Sequence, residues 1–476
     1  MSTTLRERIS LLCDDLAAIA EPEFRLGIDA VRAAMGEKLR LAVVGNVSTG
    51  KSTIVNALVR RRVAPTAAGE TTKVVTWYQH GYVDSATIEF VDGTTRRLPF
   101  DRELPTDLGL SQGQFAQVTR LRVQLVSPRL KDLTVIDTPG LASLTPERAE
   151  ATRTAVLGYE RDSQHAAGEA DALLYTFLDA ARETDIGFLA GFRAASGDTD
   201  AEAVNTIGVF AQADRPRDPD PIAASQVLAD ALAADHVSLL ADVVAVSGLL
   251  EQSGRTGQIT EDVARTVAAL ADVGPARLRA WTRLTVDGVD TARIREAGEL
   301  LQAYGLIAGG KVATRGAAAL RDWCLLGASG FARLDEAIYG KLVPRSQAIK
   351  ARAAMRRLTD LGRRMDRSDE ALTLIEEAEL DPALHGLEEL RMLQRLLKGL
   401  PGSSLRRTLE QMIDAAGDER RRLGLSPEAT PADIRTEALR RCREAQATAA
   451  LALDSREEAA ALVLARSYQY IASSSA

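Results

Sequence analysis

A chain of 476 residues exceeds one ordinary domain and predicts two or three. With 46% hydrophobic and 26% charged residues it is neither disordered nor fibrous, and a formal net charge of -7 excludes general nucleic-acid binding, which needs clustered Lys and Arg. Aromatics are only 4%, while Ala, Leu and Arg fill many windows and favour helix, where they lose little rotamer freedom.

Residues 3–35 carry Leu5, Ile9, Leu12, Leu16 and Ile19 at helical spacing, and Pro22 is expected to kink or break the run. The period then changes. LRLAVVG at 39–45 reads as a short apolar strand ending on a glycine, and KSTIVNALV after it reads as helix. Strand-like runs recur at 73–78, 86–91, 119–126, 133–137, 171–178, 205–212 and 243–248, with Asp92-Gly93 as a hairpin turn signal. Helical stretches between them predict an α/β domain with a mostly parallel sheet and helices on both faces. After about residue 258 strand signals stop, and the remainder reads as a separate elongated all-α bundle or stalk. The expected divisions are an N-terminal helical segment at 1–36, an α/β domain at 37–258 and a helical region at 259–476.

Cys13, Cys324 and Cys442 are far apart and form no CxxC pair, which predicts small buried thiols in a reduced compartment. Arg6 and Arg8 precede no leader-like apolar run, and no stretch reaches the roughly 18 apolar residues of a spanning helix. The expected location is cytoplasmic, at most peripheral to the inner face of the membrane. His80, His165, His236 and His385 are scattered without a metal-ligand neighbour at i+4.

The octamer GNVSTGKS comprises Gly45, Asn46, Val47, Ser48, Thr49, Gly50, Lys51 and Ser52, with Thr53 next, and satisfies G-x-x-x-x-G-K-[ST] at a strand-to-helix junction. Its glycines allow a backbone that surrounds phosphates with N–H groups at a helix N-terminus. Lys51 is placed to neutralise β/γ-phosphate charge and the Ser52 hydroxyl to ligate Mg²⁺. A second element, DTPG at 137–140, ends an apolar strand. Asp137 is expected to hold Mg²⁺ through water, and the Gly140 N–H to meet the γ-phosphate. Between them runs PTAAGETTKVVT (65–76), a small-residue loop whose Thr72, or failing that Thr71, completes the magnesium shell.

A base-selecting element follows the strand TIGVF. Asp214 in AQAD stands where a carboxylate accepts both guanine N–H donors, and Gln212 replaces the usual lysine. Ser247 and Gly248, in VSG, match the last nucleotide loop. GTP and GDP are therefore the expected ligands, with reduced affinity because of Gln212. Leu141 follows Gly140 where Ras-type sites have a water-orienting Gln, and Val47 lacks a polar head. A second molecule docking across the nucleotide face is the expected remedy, with turnover stimulated by self-association.

The segments LAVVGNVSTGKSTIVNALV, APTAAGETTKVVTWYQHG and TVIDTPG resemble the bacterial dynamin-like GTPases, among them the actinobacterial group that includes the mycobacterial isoniazid-inducible proteins. VSGLL (246–250) and EELRML (388–393) extend the likeness. The resemblance implies a GTPase–neck–trunk molecule in which the first helix packs with C-terminal helices. It also implies GTP-dependent head-to-head dimerisation, lipid at the trunk tip and a second dynamin-like partner. By motif match Lys51, Ser48 and Thr72 take catalytic roles.

Residues 311–367 hold thirteen Lys/Arg against five acids, a formal +8 suited to anionic lipid. WCLLGASGF (323–331) lies inside, too short to span a bilayer but shaped to wedge into its interface, with Trp323, Leu325, Leu326 and Phe331 as contacts near a tip at 305–345. The competing expectation makes the same residues the core of a helical bundle. The functional expectation is a GTPase that remodels or tethers the cytoplasmic membrane. The alternative is a nucleotide-gated scaffold or regulatory GTPase acting through a partner.

Overall fold

A computed structural model describes residues 4–46, 48–65, 71, 74–100, 103–139, 170–178, 180–195, 205–400, 402–415 and 417–474. Helices α1 (Leu5–Ile19) and α2 (Pro22–Gly36) open the chain. The break falls at Pro22 because a proline at the first helical position forfeits no internal hydrogen bond. Thr4 and Glu7 close a capping box over α1.

The described strands are β1 (Leu39–Gly45), β2 (Thr76–His80), β3 (Ser85–Phe90), β4 (Thr95–Leu98), β5 (Val118–Leu125), β6 (Leu133–Asp137), β7 (Ala172–Phe177), β8 (Thr206–Phe210) and β9 (Asp242–Ala245). They form one sheet in the order β4-β3-β5-β2-β6-β1-β7-β8-β9. From β6 to β9 every pairing is parallel. β2 runs antiparallel to β6, and β3 and β4 make a hairpin whose turn contains Asp92-Gly93, Gly93 at φ 80°.

Both faces of the parallel part are buried, and β1 shows how. Leu41 and Val43 enter one apolar cluster with Ile54, Val55 and Leu58 of α3 (Lys51–Val59). Ala42 and Val44 enter the opposite cluster with Tyr175 and Phe177. Leu189 of α4 (Glu183–Ala195) and Ala229 of α5 (Pro221–Asp235) cover it. Alternation along a strand with apolar residues on both sides is what a doubly covered sheet requires.

Beyond the sheet lie α6 (Gly248–Arg255), α7 (Glu261–Ala269), α8 (Thr291–Ala313), α9 (Ser346–Gly362), α10 (Ser368–Glu379), α11 (His385–Gly399), α12 (Ser404–Asp414), α13 (Pro431–Leu451) and α14 (Ser455–Ser474). Three further clusters organise them. Leu250 of α6, Val263 of α7 and Leu301 of α8 share one, and Leu393, Leu409, Cys442 and Leu464 of α11 to α14 share another. The third joins the start of the chain to distant helices. Ile9, Leu12, Leu16 and Ile28 pack with Leu358 of α9 and Ile375 of α10, and Arg8 Nε lies 2.8 Å from Asp381 Oδ2. All three cysteines are buried and free. No helix among the described residues is long and apolar enough to cross a membrane.

The expected membrane wedge is not a tip. Phe331 is buried in the sheet cluster that holds Leu41, with Leu334, Ile338 and Leu342 behind it, so the core of the nucleotide domain continues past residue 258. Trp323 is half-buried against the Tyr304 ring, 5.7 Å between centroids. Leu325 packs on Gly254, where a Cβ would fall 2.9 Å from Leu325 Cδ2. Leu326 alone of the four is exposed. Gly330, at φ 69°, abuts the Ala245 carbonyl too closely for any side chain. The apolar residues were drawn to the open sheet face, which buries more area than a shallow interface would.

Much of the basic run is committed as well. Arg345 pairs with Asp414, Arg333 and Lys341 with Asp242, Arg367 with Glu370, and buried Lys350 donates to the Glu37 carbonyl. It is therefore not an open cationic face.

Candidate nucleotide site

β1 ends on Gly45 at φ 151°, where a Cβ would lie 2.6 Å from the Thr176 carbonyl oxygen. Only glycine lets the loop leave the strand beside β7. The loop turns back through Ser48 at φ 65° and Gly50 at φ 91°, and α3 starts at Lys51 with its first N–H groups directed into the turn. Three side-chain links hold the loop from outside. The Thr49 and Thr176 hydroxyls are 2.7 Å apart, Asn46 Nδ2 donates to Asp185 Oδ1 at 2.7 Å, and Gln212 Nε2 donates to the Ser48 carbonyl at 2.9 Å.

Buried Lys51 donates to the carbonyls of Gly45 (3.0 Å) and Asn46 (2.8 Å). Desolvation lowers its pKa to about 8, against the pull of Asp137. At the end of β6, Asp137 accepts from the Ser52 hydroxyl across 3.4 Å, and burial raises its carboxyl to about 6 although Lys51 opposes the rise. A hydroxyl at a helix start facing a strand-end carboxylate is a donor set that fits Mg²⁺ with several waters retained. Val47, Thr72 and Gly140 lie outside the described residues. Thr71, the second choice for the magnesium shell, is buried and donates its hydroxyl to the Pro105 carbonyl, so it serves the packing of the loop.

On the other side of the loop Gly50, Thr53, Gln212, Asp214 and Gly248 line one cavity of about 190 Å³, together with Ala211, Arg215 and Gln302. Asp214 is buried, and desolvation raises its pKa while a hydrogen bond from Ser247 opposes the rise. Ser247 caps α6, accepting from the Leu250 N–H, and donates its own N–H to the Ser329 carbonyl at 2.8 Å. Ser329 in turn donates to buried Glu251 at 2.8 Å. The segment expected at a membrane therefore buttresses the base loop. Gln212, at φ 59°, keeps its Oε1 shielded and without a hydrogen-bond partner among the described residues.

Several positioning residues escaped the sequence. Thr176 and Asp185 fix the loop, and Asp185 also accepts from the Tyr175 hydroxyl and the Arg182 N–H. An acid in the first turn of a helix reads only as a complement to its dipole. Asn56 is the third, its side chain bonded to Val63, Ala64 and Gln252.

A Walker-type loop at a parallel strand, a hydroxyl–carboxylate pair beside it and a carboxylate-lined cavity across it define a P-loop nucleotide-binding domain. Residues 41–175 match the Dynamin family, and the chain resembles bacterial dynamin-like GTPases. It is 32% identical over 282 residues to the isoniazid-induced protein IniC of Mycobacterium tuberculosis, strains H37Rv and CDC 1551 alike. That alignment covers 56% of this chain and 54% of IniC, so the chain spans about half the length of the relatives it matches. Solved structures with likeness include a bacterial dynamin pair described as oligomerised, with long-range sensing and tethering of membranes (12% identity, 99% of this chain and 74% of that one, TM-score 0.33). Another is Era of Aquifex aeolicus bound to GDP and aluminium fluoride (16% identity, 44% and 52%, TM-score 0.26). Scores of this size add nothing to the geometry above.

Proposed function

We propose that this chain binds GTP with Mg²⁺ and hydrolyses it to GDP and phosphate, with turnover raised when two nucleotide domains meet. The observation that carries the proposal is the placing of Ser52 and Asp137 3.4 Å apart on one side of the loop while Asp214 lines the cavity on the other. Phosphates in the loop would draw Lys51 from the Gly45 and Asn46 carbonyls onto β/γ oxygens. Ser52 and Asp137 would hold the Mg²⁺, with Thr72 as the proposed third contributor, and the ion would neutralise charge developing on the phosphates. Asp214 accepts the two N–H donors of guanine, which adenine does not offer. Water positioning is assigned to Ser48 and to the second subunit. GTP turnover measured from nanomolar to tens of micromolar protein tests this: specific activity rises with concentration, and a flat profile removes the self-association step.

The wider proposal is that nucleotide-driven association remodels or tethers the cytoplasmic membrane, alone or with a second dynamin-like protein. The match of residues 41–175 to the Dynamin family supports it. Lipid contact falls to exposed groups such as Leu326, Leu451 and Leu453, the last two at the turn joining α13 to α14. Flotation with anionic liposomes tests it. The alternative is a nucleotide-gated scaffold serving a partner, favoured by Gln212, which is tied to the Ser48 carbonyl where a lysine stem would cover the base. GTP binding with negligible turnover at every protein concentration would select that reading.

A further inference from the structure

Helix α8 does not run unbroken past the nucleotide domain. Within it Gln302 takes φ 54° and ψ -174°, a backbone region that glycine enters freely and other residues rarely do. The break is held firmly on its N-terminal side. Leu301 is fully buried, and the Leu300 carbonyl accepts from the Ser253 hydroxyl of α6 at 2.8 Å. Backbone strain of this kind persists only where the surroundings over-determine it, and it gathers at ligand sites.

What the break achieves is placement. It turns Gln302 into the wall of the cavity that Gln212, Asp214 and Gly248 also line. Two residues later Tyr304 packs into the cluster under β8, near enough to Asp220 and Asp214 for both to reinforce the rise that burial imposes on its hydroxyl. No nucleotide motif of the sequence includes Gln302.

We propose that Gln302 is a base-contacting residue of the nucleotide pocket, supplied by the helical half and held at the cavity wall by the break in α8. The proposal rests on the reading of Asp214 as the guanine carboxylate. Once Asp214 has taken the N1 and N2 hydrogens of guanine, the base keeps acceptors at O6 and N7, and a carboxamide supplies a matching N–H donor. A nucleotide held this way touches the P-loop, the base loop and α8 together.

Titration of wild type, Gln302→Ala and Gln302→Gly with GDP, with ADP and pyrophosphate as further probes, tests this. Gln302→Gly suits the backbone at φ 54° and melts at or above the wild-type temperature, which keeps folding out of the comparison. Both variants are expected to bind GDP about tenfold more weakly, the effect of one lost hydrogen bond to a buried base, with pyrophosphate unchanged. GDP affinity within about twofold of wild type in a folded Gln302→Gly overturns the proposal. An equal loss for pyrophosphate overturns it too, since the change would then act through the loop. Failure of the wild type to prefer GDP over ADP removes the guanine reading itself, and the proposal with it.

Discussion

Asn46 in the phosphate loop donates its carboxamide N–H to the Asp185 carboxylate at 2.7 Å, which ties the loop to the first turn of α4. The same carboxylate accepts from the Tyr175 hydroxyl at 2.7 Å and the Arg182 N–H at 2.9 Å, and it is almost completely buried. Removing it leaves three donors without their acceptor. Asp185→Ala should cost about 2–4 kcal/mol of stability and weaken nucleotide binding, because unsatisfied buried groups retain their full desolvation penalty. Chemical denaturation with and without GDP measures both. Asp185→Asn, which keeps one acceptor oxygen, should lose less.

Gly45 sets the second expectation. Because a Cβ there would stand 2.6 Å from the Thr176 carbonyl, Gly45→Ala must push β1 and β7 apart or unwind the loop. A loss of about 2–4 kcal/mol is expected, with GDP binding undetectable by titration. By contrast Lys51→Ala relieves a buried ammonium and should fold at least as well as wild type while GTP turnover drops by about a hundredfold or more.

Phe331 and Leu326 separate core from surface within five residues. Phe331→Ala should destabilise by about 3–5 kcal/mol, since its ring lies in the sheet cluster with Leu41 and Val43. Leu326→Asp should change stability by less than about 0.5 kcal/mol. If liposome flotation survives Leu326→Asp but falls in the Leu451→Asp, Leu453→Asp double variant, lipid contact belongs to the α13–α14 turn.

His385 gives the pH expectation. Burial lowers its pKa although Glu389 opposes this, and its Nε2 lies 2.9 Å from the Ser467 hydroxyl. The folded state therefore resists the proton that the unfolded chain binds below about pH 6.5. Its contribution is complete above that pH and is lost on acidification towards the lower folded value. Melting temperatures at pH 7.5 and 5.5 should show a smaller acid loss for His385→Gln than for wild type.

The nucleotide half was written plainly in local pattern. The alternation of Leu41 and Val43 with Ala42 and Val44, the strand–loop–helix around Lys51 and the break at Pro22 each depend on near neighbours, so periodicity reveals them. Phe331 was open to two readings because periodicity shows that a residue seeks burial and not which surface receives it. The receiving surface is built by strands about 90 to 290 residues earlier, from β1 to β9. Gln302 was hidden for a different reason. Glutamine is a good helix former, and nothing in LLQAYG announces a positive φ that tertiary packing alone imposes. Asp185 read as an ordinary helix-start acid. Its three donors come from β7, the phosphate loop and its own turn, and only the fold assembles them.

The pairing of α1 and α2 with α9 and α10 has a cost during synthesis. Ile9, Leu12, Leu16 and Ile28 leave the ribosome early, while the Leu358 and Ile375 that cover them follow more than 300 residues later. At about 5–20 residues per second, that apolar stripe waits on the order of 15–70 s for its partners. The nucleotide domain, including the strands between, has that whole interval in which to form. Its last sheet-covering segment around Phe331 also emerges just before α9, so completion of the head and capture of the first two helices fall close together in time. A nascent chain stalled before α9 would present the greasy face of α1 and α2 to whatever chaperone stands at the exit tunnel.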